Sequence, residues 1–343
     1  MSVFANATGV GSWPGSSARG AAEVVVGELH QLPHLVELPG RGVGADLIGR
    51  AGALLVDISI DTVPRGYRIA SGRRSATRRA VSLLGEDIDA LEEAWEAIGL
   101  RGGERTVKVQ VPGPVTLAAH LELPGGHRAI TDSGAVRDLT TSLAEGVSAL
   151  RAQLMRRLET AVVVQLDEPT LPAALEGRLT GVTSLSAVHP LAAAVITELF
   201  DECVAVVGGD VAVHCCAPGV PWKLLQRSLI AAVSVDLSAL TAADLDGVGE
   251  FVESGRTVLL GAVPTAPPEG SGAAAAAAPS AAQIAAAVAG VTDRLGFGRP
   301  VLRDRIGVTP ACGLAAATPA WARTALELAQ KAADAFDADP DAI

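Results

Sequence analysis

Short runs of β-branched and aliphatic residues recur eight times along the chain, and stretches of helical character separate them. The runs cover residues 7–11, 34–38, 107–111, 161–166, 211–214, 231–235, 257–261 and 305–308. Several are almost wholly apolar, as in AVVVQL, which is the pattern of parallel strands covered by helices on both faces. Amphipathic or Ala/Leu-rich stretches at 86–98, 133–160, 189–207, 241–253 and 319–336 read as those helices. Strands alternating with helices imply right-handed βαβ units and a parallel sheet. Eight such units predict a closed (β/α)8 TIM barrel, and 343 residues suit one such domain spanning 1–343. The alternative is an open doubly wound sheet. After the first run, however, the chain reads GVGSWPG, without the glycine pattern that opens a dinucleotide-binding helix. Residues 264–278, rich in Pro, Gly and Ala, read as a flexible loop within the domain.

Aromatic residues make up only 3% of the chain, so Val, Leu, Ile and Ala must fill the core. The net charge of −11 opposes binding to phosphate backbones or anionic lipid, so neither nucleic acid nor a membrane surface is an expected partner. The opening MSVFANATGVGSWPG has no basic segment followed by an apolar one, and the uncharged stretch 270–292 is mostly Ala, broken by Pro279. The expectation is a cytoplasmic protein. Four cysteines in a chain of this length do not form a disulfide framework. Those that cluster with His are candidates for metal binding or catalysis.

In such a barrel the active site lies at the C-terminal ends of the strands. The ends of the predicted strands carry Gly11 and Ser12, Glu37, Pro112–Pro114, Asp167 and Glu168, His214 to Cys216, Asp236 and Cys312. Residues two apart in a strand face the same side, so His214 and Cys216 can share a metal, for which zinc is the natural choice. Taken alone, that pair is weak, since a Cys in an apolar strand is more often a small core residue. Cys312 and Asp236 are the available third and fourth ligands. Cys215 faces the other way and reads as packing, and Cys203 as helix core. Asp167 comes first off its strand, where a carboxylate suits an ammonium group, whereas Glu168 reads as a helix cap. Gly11–Ser12 and Pro112–Pro114 read either as plain turns or, in turn, as a close backbone approach to a ligand carboxylate and a shaped pocket wall.

Taken in order, TGVGSWPG, QVPGPVTL, VQLDEPTL, VHCCAPG, AAVSVD and TPACGL resemble the catalytic barrel of cobalamin-independent methionine synthase. The similarity runs over about residues 8–336 and is to the short, single-barrel form. It implies a barrel of the kind shared with uroporphyrinogen decarboxylase, and a zinc-dependent (Zn2+) methyltransferase of methionine biosynthesis acting on homocysteine. It places His214, Cys216 and Cys312 on three zinc ligands, and Asp236 where the family has a Glu ligand. It places Asp167 on a carboxylate that binds the amino group of homocysteine, Asp46 on a second, and Gly11 and Ser12 on the backbone that holds the substrate carboxylate. Two departures concern the methyl donor. The segment GAVPTAPP lacks the His the family carries there, and His120 stands where the family has a Trp that stacks on the pterin. The expected donor is therefore a methylcorrinoid on a partner protein rather than methyltetrahydrofolate. Competing expectations are a uroporphyrinogen decarboxylase-like or coenzyme M methyltransferase-like enzyme of the same fold, and a non-catalytic, zinc-stabilised binding protein.

Overall fold

The computed structural model describes residues 2–72, 74–182, 187–268 and 278–343. Residues 269–277 of the expected 264–278 loop lie outside the described residues. In chain order the strands are β1 (Ser59–Val63), β2 (Gly66–Ala70), β3 (Thr106–Pro112), β4 (Leu121–Glu122), β5 (Ala161–Asp167), β6 (Val211–Cys215), β7 (Ala232–Asp236), β8 (Thr257–Val263) and β9 (Ile306–Pro310). Strands β3, β5, β6, β7, β8 and β9 lie side by side in that order, every pair parallel.

Two short extended segments complete the ring. Ala7 bridges Val308 of β9, Ser12 bridges Glu37, and His34 bridges Lys108 of β3, all in parallel sense. Backbone bonds from Thr8 N to Val308 O (3.2 Å), Glu37 N to Gly11 O (3.1 Å) and Lys108 N to Pro33 O (2.8 Å) carry the closure. All eight expected strand positions are therefore filled, and the sheet closes as a (β/α)8 barrel. The first two join through single bridges rather than full ladders. Gly9 and Gly11 interrupt one, and Pro33, with no N–H to donate, interrupts the other.

The period-two pattern of the strands sorts their residues into two compartments. Outward-facing Val107, Val109, Val162, Val164, Val213 and Val233 join the large core under the helices. Each fully buried Val of this kind contributes about 1.5–3 kcal/mol. Phe4, Leu32, Val163, Ala212, Ala232 and Leu259 form a separate, smaller cluster inside the barrel. Along β5 and β6 the inward-facing positions turn polar towards the C-terminal end: Val163 gives way to Gln165 and Asp167, and Ala212 to His214.

Two features were not expected. The β1–β2 hairpin is antiparallel, turns at Pro64–Arg65, and pairs with the short β4. The helix expected at 86–98 begins earlier and runs Ser75–Ala97, and its added first turns carry exposed Arg78 and Arg79 on the outer face. Among the described residues, no helix is long and apolar enough to cross a membrane.

Candidate active site

His214, Cys216 and Cys312 meet at the C-terminal mouth, with one ligand atom from each lying within 4.8 Å of the others. Strand β6 delivers His214, and Cys216 follows immediately after it. Cys312 arrives from beyond β9, three strands away across the opening. The two sulfurs are 3.2 Å apart. The contact with Cys216, and then His214, hold the Cys312 thiol below its ordinary value despite burial, while the contact with Cys312, together with burial, pushes Cys216 up. The His214 ring is 2% exposed. Its Nδ1 meets Ser234 Oγ of β7 at 3.0 Å, while Nε2 has no hydrogen-bond partner. Cys215 points outward and is fully buried, with its thiol pushed up to about 12 by burial, and Cys203 is buried in the helix Ala193–Val207.

These atoms fit a zinc ion. Tetrahedral N/S coordination sets ligand atoms about 3.5–3.8 Å apart, so the sulfurs, now 3.2 Å apart, would separate by about half an ångström to admit the ion. A free, buried Nε2 with the other ring nitrogen already bonded is the state a metal-binding imidazole needs. Among the described residues, no fourth group completes the cluster within the same limit. Asp236, at the end of β7, stands outside it. Its Oδ1 accepts from Ser238 N (2.8 Å) and Ser238 Oγ (2.7 Å), capping the turn Leu237–Ala239.

A cavity of about 290 Å³ opens beside the cluster. His214, Cys216 and Cys312 line one wall, and Ser12, Glu37 and Asp167 supply its other polar groups. Val10, Pro39, Leu47 and Pro169 provide apolar walls. Asp167 is 7% exposed, and burial, then the charge of Glu37, raises its pKa well above the usual carboxylate range. Burial also raises Glu37, against the opposing charge of Arg50, and its Oε1 has no hydrogen-bond partner. Gly11 sits against Gln110 so closely that a Cβ there would lie 2.5 Å from Gln110 Cγ. A side chain at position 11 would displace that residue.

The remaining expected residue, Asp46, does not line the cavity. It caps the helix Leu47–Ala51, with Oδ1 accepting from Gly49 N at 3.0 Å and Oδ2 from the Tyr67 hydroxyl. Glu168 acts as the expected cap, but across elements. Fully buried, it accepts from Val115 N (2.9 Å), Thr116 N (2.8 Å) and Thr116 Oγ1 (2.6 Å) at the start of the helix Pro114–His120. His120, at the far end of that helix, approaches Thr170 Oγ1 at 3.4 Å and does not line the cavity.

Lys108 and Gln165, beneath the cavity, escaped the sequence reading, which placed Glu37 on the rim without giving it a role. Their signal was present as inward parity. Lys108 and Gln110 alternate along β3, and Gln165 and Asp167 along β5, so four polar residues occupy positions where an apolar strand would keep Val.

A parallel α/β barrel with a thiol–imidazole cluster and paired carboxylates at its mouth is the build of a group-transfer enzyme. The chain belongs to the cobalamin-independent synthase family of methyltransferases, whose catalytic domain matches residues 4–335. No curated relative matches at the sequence level. Among solved structures it is similar to a B12-independent methionine synthase from Shewanella sp. W3-18-1 in complex with selenomethionine. The TM-score is 0.61 at 14% identity, covering 99% of this chain and 100% of that one. It is also similar to a protein assigned as a vitamin-B12-independent methionine synthase from Listeria monocytogenes, with a TM-score of 0.57 at 14% identity, covering 92% and 85%.

Proposed function

We propose that this enzyme transfers a methyl group to the thiol of homocysteine, giving methionine, at a zinc site formed by His214, Cys216 and Cys312. The observation that carries the reading is the meeting of three ligand atoms within 4.8 Å on the wall of a cavity whose other side holds two buried carboxylates. Bound there, zinc would supply the Lewis acidity that lets a thiol lose its proton at neutral pH. Asp236 is proposed as a displaceable fourth ligand through Oδ2, since its bonds to Ser238 use Oδ1.

The chain's own residues account for binding the rest of the amino acid. Asp167 and Glu37 line the cavity and are suited to accept an ammonium group, whose positive charge would offset the burial that otherwise favours their protonated forms. Gly11 and Ser12 are assigned to the substrate carboxylate at the end of the first barrel segment. Asp46, already committed to Gly49 and Tyr67, is the weaker candidate for the ammonium group, and Glu37 takes its place. Fixing the amino acid at both ends holds its sulfur against the cluster, and such positioning supplies much of the rate of a methyl transfer. The selenomethionine complex of the Shewanella protein is consistent with a methionine-shaped product in this pocket.

For the donor we propose a methylcorrinoid, because a folate amine leaves poorly unless protonated. His214 is the one imidazole lining the cavity among the described residues, and it is assigned to the metal. The test incubates purified enzyme and homocysteine with methylcobalamin or with methyltetrahydrofolate, and measures metal content on the same sample. One zinc per chain, lost in Cys312→Ser, and methionine formed from methylcobalamin are expected. Full zinc retention in Cys312→Ser overturns the ligand set, and efficient turnover of the folate alone overturns the donor.

A further inference from the structure

Lys108 has no solvent exposure inside the barrel, one layer below the cavity. Its Nζ donates to Gln165 Oε1 at 2.7 Å and to Val10 O at 3.0 Å. Gln165, also buried, turns its Nε2 to Asp167 Oδ1 at 2.7 Å and to the same Val10 carbonyl at 2.9 Å. An ammonium group donates only, whereas an amide both donates and accepts. Gln165 must therefore present its oxygen to Lys108, which leaves its nitrogen for Asp167. The reverse orientation would set an amide N–H₂ against the lysine and an amide oxygen against the carboxylate. That arrangement is tolerable only with Asp167 protonated.

We propose that Lys108 and Gln165 are positioning residues that fix the polarity of Asp167, keeping it an acceptor for the ammonium group of the substrate. This rests on the reading of Asp167 as an ammonium partner. Without Lys108 the amide is free to turn over. The carboxyl then exchanges its acceptor role for a donor one, and a cationic amino group finds no partner. The anchoring of both residues to Val10 O also ties the device to the segment that leads into Gly11 and Ser12, so the two ends of the amino acid are held from one piece of backbone.

The experiment measures dissociation constants by calorimetry on the full-length, zinc-assayed protein, for homocysteine and for 4-mercaptobutyrate, which keeps the thiol and carboxylate but lacks the amino group. The variants are Lys108→Met and Gln165→Glu. In the second, the new carboxylate keeps a partner in Lys108 and turns an acceptor towards Asp167, so it carries the test if the first does not fold. The wild type should prefer homocysteine. Each variant should lose at least about tenfold on homocysteine, the worth of one charge-assisted hydrogen bond, and change less than about twofold on 4-mercaptobutyrate. Equal losses on both thiols would mean a merely structural role and overturn the proposal, as would undiminished homocysteine binding. A wild type that does not distinguish the two thiols instead overturns the ammonium reading of Asp167, and the proposal with it.

Discussion

Ser234→Ala tests whether His214 is held ready for a metal. Ser234 lies directly opposite His214 in the β6–β7 register, and its hydroxyl is the one hydrogen-bond partner of His214 Nδ1. Removing one oxygen leaves that nitrogen unpaired in a ring only 2% exposed. A buried polar group stripped of its partner costs about 1–3 kcal/mol. That corresponds to a factor of about 5–150 in an equilibrium constant. Loss of a group that orients a metal-binding imidazole costs roughly 10–100-fold in metal affinity, which falls inside the same window. Zinc affinity of Ser234→Ala should thus fall about 10–100-fold. Ser234→Thr, which keeps the hydroxyl, should stay near wild type. Competition against a chromogenic chelator gives the dissociation constants, and near-UV circular dichroism confirms the fold. A Ser234→Ala affinity within about twofold of wild type would refute the reasoning, because the imidazole would then need no support from β7.

Two further predictions follow from the same geometry. Asp236→Ala should weaken zinc binding less than Cys312→Ser does and should abolish the response of a cobalt-substituted site to added thiol; wild-type affinity with an unchanged thiol response would leave Asp236 only its bonds to Ser238. Burial raises Glu168 from 4.5 to about 7, against the hydrogen bonds from Thr116 and Val115, so the folded chain keeps a proton that the unfolded chain has released. Its contribution to stability is therefore full below about pH 4.5, falls as pH rises through the window to about 7, and amounts to roughly 3 kcal/mol. Denaturation of wild type and Glu168→Gln at about pH 4.5 and about pH 8 should show wild type losing more stability by roughly that amount, and parallel pH profiles would contradict it.

The barrel strands were legible because a parallel strand under two layers must be apolar, and runs such as AVVVQL satisfy that whatever surrounds them. The meeting of His214, Cys216 and Cys312 was legible for a related reason. His214 and Cys216 share a face by strand parity, and Cys312 had to follow another strand on the same rim. That Glu37 and not Asp46 faces the cavity was not legible. Sequence spacing allows both Glu37 and Asp46 to reach the mouth, and only the folded chain reveals that Asp46 is occupied by Gly49 and Tyr67. Lys108 was invisible for a different reason. A lysine in an apolar strand reads as an edge or an error until Gln165 and Val10 are seen to hold it. The hairpin β1–β2 packs outside the barrel, where nothing in the repeating pattern of strand and helix demands it.

The apolar cluster of Phe4, Leu32, Val163, Ala212, Ala232 and Leu259 has a consequence for traffic through the enzyme. It fills the barrel interior on the side away from the cavity that His214, Cys216 and Cys312 line. In the proposed reaction a thiol would enter and a thioether leave at the opposite, C-terminal mouth, and the methyl group would be presented from that side as well. Were the proposed corrinoid the donor, its bulk over that mouth would hold the product in until it lifted away.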